Sequence, residues 1–102
     1  MNPPRYSRLE HERRFLVAPD HLEFLQQKQF SRRFDDRYLR CGRLRLRAMT
    51  NSDDGVTTYK LTKKYVYEHP DVRPIVSVWL TVDEHTALHR LELRNALRLR
   101  VY

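Results

Sequence analysis

Glu10 and Glu12 stand two residues apart, and three further stretches carry cations at even spacing: Arg43, Arg45 and Arg47; Lys60 and Lys64; Arg98 and Arg100. On an extended strand, residues at even spacing project to one side. Two carboxylates on one side suit a hard, partly hydrated divalent cation such as Mg²⁺ or Mn²⁺. The same pair also reads as an exposed charge pair answering Arg14. Arginine far outnumbers lysine in this chain, and its planar fork suits bidentate contact with phosphate oxygens. Like charges gathered across neighbouring strands repel unless a polyanion sits on them or solvent screens them. A basic face of this kind therefore points to an anionic partner. The plainer reading is the solvated side of an antiparallel sheet, and both readings share one expected core: Leu44, Leu46, Leu61, Val76, Val78 and Leu80.

The elements that must position these residues follow from periodicity. Beyond a polar leader over residues 1–7, Leu9 to Val17 alternates with a period of two and predicts a strand, which Pro19 ends. Asp20 with Glu23 opens a short helix reaching to Lys28, with Leu22, Phe24 and Leu25 on its apolar face. Strands are expected from Asp36 to Leu39 and from Arg43 to Met49, joined as a hairpin at Cys41-Gly42. The loop Asn51-Ser52-Asp53-Asp54-Gly55 leads into a strand from Val56 to Tyr67, and His69-Pro70 breaks before another from Arg73 to Val82. Thr81 with Glu84 forms a second capping box ahead of a helix carrying Ala87, Leu88 and Leu91. Leu97 to Tyr102 closes the pattern as a strand. The fold class is α+β, an antiparallel sheet with two short helices outside, in one domain over residues 1–102.

Glu10-His11-Glu12-Arg13-Arg14-Phe15-Leu16-Val17 resembles the E-x-E-x-K opening of the CYTH family, with Arg14 where that motif has lysine. Its members include class IV adenylate cyclases and thiamine triphosphatases. The resemblance continues through Asp36-Arg37-Tyr38-Leu39, Arg43-Leu44-Arg45-Leu46-Arg47 and Tyr59-Lys60-Leu61-Thr62-Lys63-Lys64. It implies part of a triphosphate tunnel, a barrel of eight antiparallel strands whose lumen is lined by charged side chains. On that resemblance Glu10 and Glu12 hold Mg²⁺ or Mn²⁺. Arg14, Arg45, Arg47, Lys60, Lys64 and Arg73 hold phosphate oxygens, with Arg43, Arg98 and Arg100 as further members of the grip. The substrate class is a triphosphate such as tripolyphosphate or ATP. The implied reaction is hydrolysis or, through attack by a ribose hydroxyl, cyclisation. Ile75 and Ser77 stand where the family carries acidic residues, and the resemblance covers the front portion of the family domain. The expected tunnel is therefore incomplete, with an open sheet edge that invites dimerisation or strand swapping.

The composition is that of an ordered globular domain, with 102 residues, 40% hydrophobic, 32% charged and a net charge of +7. A single cysteine, Cys41, excludes an intrachain disulfide, and no apolar run suggests a signal peptide or a membrane span, so a cytoplasmic location is expected. His85 and His89 share a helix face at i and i+4, and without a third ligand they read as surface residues. Trp79 is expected to plug the lumen, with stacking on a nucleobase as the other reading. Tyr59, Tyr65 and Tyr67 among Lys60, Lys63 and Lys64 also fit a single-stranded nucleic-acid platform, the main non-catalytic alternative.

Overall fold

The computed structural model describes residues 3–16, 18, 23, 27, 30–40, 42–66, 68, 69 and 71–101. Apart from Glu23 and Gln27, the helix expected from Asp20 to Lys28 lies outside them, as do Cys41, Tyr67 and Tyr102. Among the described residues six strands are formed: β1 (Arg8–His11), β2 (Arg32–Leu39), β3 (Leu44–Asn51), β4 (Thr57–Lys64), β5 (Val72–Leu80) and β6 (Leu93–Val101). A helix, α1 (Val82–Leu88), separates β5 from β6. The strands make one antiparallel sheet in the order β1-β5-β4-β3-β2-β6. Among the described residues β1 and β6 are its two edges, so the sheet is open and no closed tunnel forms.

Several expected boundaries move. Strand β1 ends at His11 rather than reaching Val17, and residues 12–16 lie exposed beyond it. Glu12 still follows the ladder, because its N–H donates to the Asp71 carbonyl at 2.9 Å. Strand β2 begins at Arg32, earlier than the alternation from Asp36 suggests, because β3 on one side and β6 on the other pair with it along its length. For the same reason β6 starts at Leu93 rather than Leu97. Tertiary pairing here overrides local pattern.

The turns are set by local chemistry. Gly42 adopts φ 72° between β2 and β3, in the left-handed region that only glycine enters without strain. In the loop after β3, the Asp54 carboxylate accepts from the Val56 N–H at 2.9 Å, while the Gly55 N–H donates to the Asn51 carbonyl at 3.1 Å. The capping box of α1 is complete: the Glu84 N–H donates to Thr81 Oγ1 at 3.2 Å, and the Thr81 N–H donates to Glu84 Oε1 at 2.8 Å. Such a cap contributes about 1 kcal/mol.

The register divides the sheet into two faces. One carries Arg8, Glu10, Arg73, Ile75, Ser77, Trp79, Lys60, Thr62, Lys64, Arg45, Arg47, Asp36, Phe34, Leu97 and Leu99. The other carries the expected core of Leu44, Leu46, Leu61, Val76, Val78 and Leu80 and faces α1. That core is thin. Leu39 and Leu46 are fully buried, Val78 is half exposed, and no residue of α1 is buried.

Candidate polyanion-binding face

Arg45, Arg47, Lys60 and Lys64 share the first face, as the alternation predicts, and Arg73 and Glu10 lie on it too. The grouping of all basic stretches on that face is corrected by the register. Arg98 lies opposite Asp35 and Arg100 opposite Arg33, which places both on the second face. The cause is parity. Leu97 and Leu99, not the arginine that follows each of them, pair across from Asp36 and Phe34. Arg43 precedes β3 in the exposed turn, and Arg14 lies beyond β1 with its Nε donating to Glu12 Oε1 at 3.1 Å.

The first face holds its charges in three ways. Arg47 is committed: its Nε and Nη2 donate to the two carboxylate oxygens of Asp36 at 2.7 and 2.8 Å. Lys64 bridges the two glutamates, with Nζ 3.2 Å from Glu10 Oε1 and 4.0 Å from Glu12 Oε2. Arg45 has neither arrangement. Its Nε is shielded from water with no hydrogen-bond partner, and none of the ion pairs among the described residues involves it. Burial, with the Arg47 charge adding, pushes the Arg45 guanidinium below its ordinary value. Lys60 is lowered too, first by burial and then by Arg45, Arg47 and Arg8. These groups press on one another, and a bound anion would relieve that repulsion.

Two clefts open along this face. One, of about 370 Å³, is lined by Glu10, Glu12, Arg13, Arg14, Lys64, Asp71 and Arg73. A hydrogen bond from Arg14 holds the Glu12 carboxyl below its ordinary value against an opposing effect of burial, and the charges of Lys64, Arg14 and Arg73 add to the lowering. The other, of about 180 Å³, lies among Tyr6, Arg8, Lys60, Ile75, Ser77 and Trp79. Trp79 does not plug a lumen. It is 66% exposed, with Lys60 Nζ 5.2 Å from its ring centroid, because the sheet stays open beside it.

Glu10 and Glu12 supply two carboxylates at one cleft, and among the described residues no group of three or more His, Cys, Asp or Glu converges to hold a metal unaided. Mg²⁺ usually takes only one or two carboxylates and completes its shell with water and substrate phosphates, so this donor set fits a cation shared with a bound phosphate. The charges against these oxygens are the Lys64 ammonium, at both glutamates, and the Arg14 guanidinium at Glu12.

Sequence reasoning gave no role to two members of this face. Arg8 lies opposite Ile75, and nothing in its local pattern marks it, because it falls between the polar leader over residues 1–7 and the alternation that starts at Leu9. Asp36 was legible in principle: counting outward from the turn at Gly42 places it opposite Arg47. Comparison with family models, with curated proteins and with solved structures gives no match.

Proposed function

We propose that the first face binds a triphosphate-class polyanion, tripolyphosphate or a nucleoside triphosphate, together with a divalent cation. The observation that carries this reading is Arg45: a partly buried guanidinium with no carboxylate partner among the described residues, beside Arg47 and Lys60, on the sheet face that also presents Glu10. Arg45, Lys60 and Arg8 supply the uncommitted positive charge, and Arg73 and Lys64 extend it toward the two glutamates. Glu10 and Glu12 hold the cation, and Lys64 turns from them to the phosphate when the cation arrives. A divalent ion bound there neutralises phosphate charge, the chief requirement of phosphoryl transfer. Phosphohydrolysis is the reaction proposed, in keeping with the CYTH resemblance, and cyclisation of a nucleoside triphosphate is its alternative on the same grip.

Calorimetric titration with tripolyphosphate and with ATP, with and without Mg²⁺ or Mn²⁺, tests the proposal. Saturable, metal-sensitive binding is expected. A folded protein that binds neither compound under any of these conditions removes the proposal. Exposed Trp79 with Lys60 over its ring favours a second reading, a single-stranded nucleic-acid platform. That reading predicts affinity rising with strand length and falling steeply with salt, without a metal requirement.

A further inference from the structure

The second face of the sheet, away from the polyanion grip, carries a cleft of about 600 Å³ between α1 and strands β2, β3 and β6. Its charged lining comes from Asp35, Arg37, His85, His89 and Arg98. Asp35 is already engaged: Oδ1 accepts from Arg98 Nε at 2.6 Å, and Oδ2 accepts from Arg33 Nε at 3.2 Å. Asp36 borders the cleft, but its carboxylate is taken by Arg47 on the other face.

Arg37 is left over. It takes part in none of the ion pairs among the described residues, and its Nε is shielded from water with no hydrogen-bond partner. A buried donor without an acceptor is costly, and an incoming anion removes the cost. The two imidazoles stand beside it. The His85 and His89 rings are 5.7 Å apart, and His85 packs on the Tyr59 ring at 4.4 Å. The groups around His85 are His89 on its own helix, Tyr59 of β4, Asp35 and Arg37 of β2, and Arg98 of β6. A chelated metal is the weaker occupant, because among the described residues no third ligand joins the histidine pair and the Arg37 cation repels it.

We propose that this cleft binds a phosphate-class dianion, with Arg37 as its principal contact and with the His85 and His89 rings beside it. The volume exceeds what phosphate alone fills and suits a small organic monoester. Burial, His89 and Arg37 lower the pKa of His85, so its ring is neutral near pH 7 and gains charge only as the pH falls or an anion arrives. The site is independent of the grip on the opposite face.

Sulfate is the suitable first probe, since it keeps its double charge throughout the range in which histidine titrates. Ring resonances of His85 and His89 are followed by NMR during sulfate titration at about pH 5.5 and about pH 7.5, either side of the ordinary histidine value. Sulfate is expected to shift the His85 resonances, raise the His85 pKa and bind more tightly at the lower pH. Arg37→Gln lowers that affinity about tenfold, the loss expected for one charge-assisted contact, and leaves tripolyphosphate binding on the first face unchanged. His85→Gln weakens the pH dependence and keeps the contact to Arg37. Inorganic phosphate and glycerol phosphate at one pH then separate the two sources: tighter binding of the ester shows that the cleft takes an organic phosphate, and equal binding shows the free anion. Unmoved His85 resonances at both pH values, or equal sulfate affinity in Arg37→Gln, overturns the proposal.

Discussion

The Arg47 guanidinium grips both carboxylate oxygens of Asp36 across the β2–β3 hairpin, at 2.7 and 2.8 Å, while lying 4.2 Å from the centroid of the Phe34 ring. Asp36 is 1% exposed, so this pair is structural and its charge is spent before any ligand arrives. Arg47→Ala strands a buried carboxylate and is expected to cost about 3–5 kcal/mol in urea denaturation. Replacing both partners, Asp36→Leu with Arg47→Met, restores most of that loss, because apolar side chains of similar volume need no counter-charge. A double variant as unstable as the single one would show that the pair does more than neutralise itself.

Arg45, one position along the same face, should behave in the opposite way. Its charge opposes Arg47 and Lys60 in the free protein, so Arg45→Gln leaves stability unchanged or raises it slightly. The same change should weaken tripolyphosphate binding about tenfold by calorimetry. Arg98→Gln, on the second face and paired with Asp35, should leave that binding unchanged. Equal losses in the two variants would mean that net charge, rather than the face, attracts the polyanion.

The contrast between Arg45 and Arg98 shows how far the sequence can be read. Alternation correctly grouped Arg45, Arg47, Lys60 and Lys64, because β3 and β4 are joined by a short loop whose length fixes their register. It misplaced Arg98 and Arg100, because β6 pairs with β2, more than fifty residues earlier, and no local signal sets the parity of so distant a pairing. The capping box at Thr81 was legible because both of its hydrogen bonds stay within four residues. The cleft around Arg37 was not, since it depends on α1 crossing the sheet and on Asp35 being claimed by arginines from two strands.

Glu10 and Glu12 offer a sharper test of the metal. Glu10→Gln with Glu12→Gln removes both candidate cation ligands and frees Lys64. Tripolyphosphate binding should then persist or tighten without Mg²⁺, and the increment that Mg²⁺ or Mn²⁺ adds should vanish. Calorimetry with and without the ion reads both effects. An unchanged increment in the double variant would place the ion on the phosphates alone.

His85 links the second cleft to stability. Its pKa is lowered by burial first and then by His89 and Arg37, so the folded state resists protonation that the unfolded chain accepts. Above the ordinary histidine value of about 6.5 both states leave the ring neutral, and it contributes no pH dependence. As the pH falls through that value, the unfolded state binds more protons and stability declines. The decline levels off once the pH passes below the lowered folded value and both states are protonated. The urea midpoint should therefore fall across this window in the native chain and fall less in His85→Gln. Sulfate in the cleft favours the protonated ring in the folded state, so it should flatten the native slope and leave the His85→Gln slope unaltered. A slope that His85→Gln does not change would assign the acid sensitivity to other groups, and a native slope indifferent to sulfate would separate His85 from the anion.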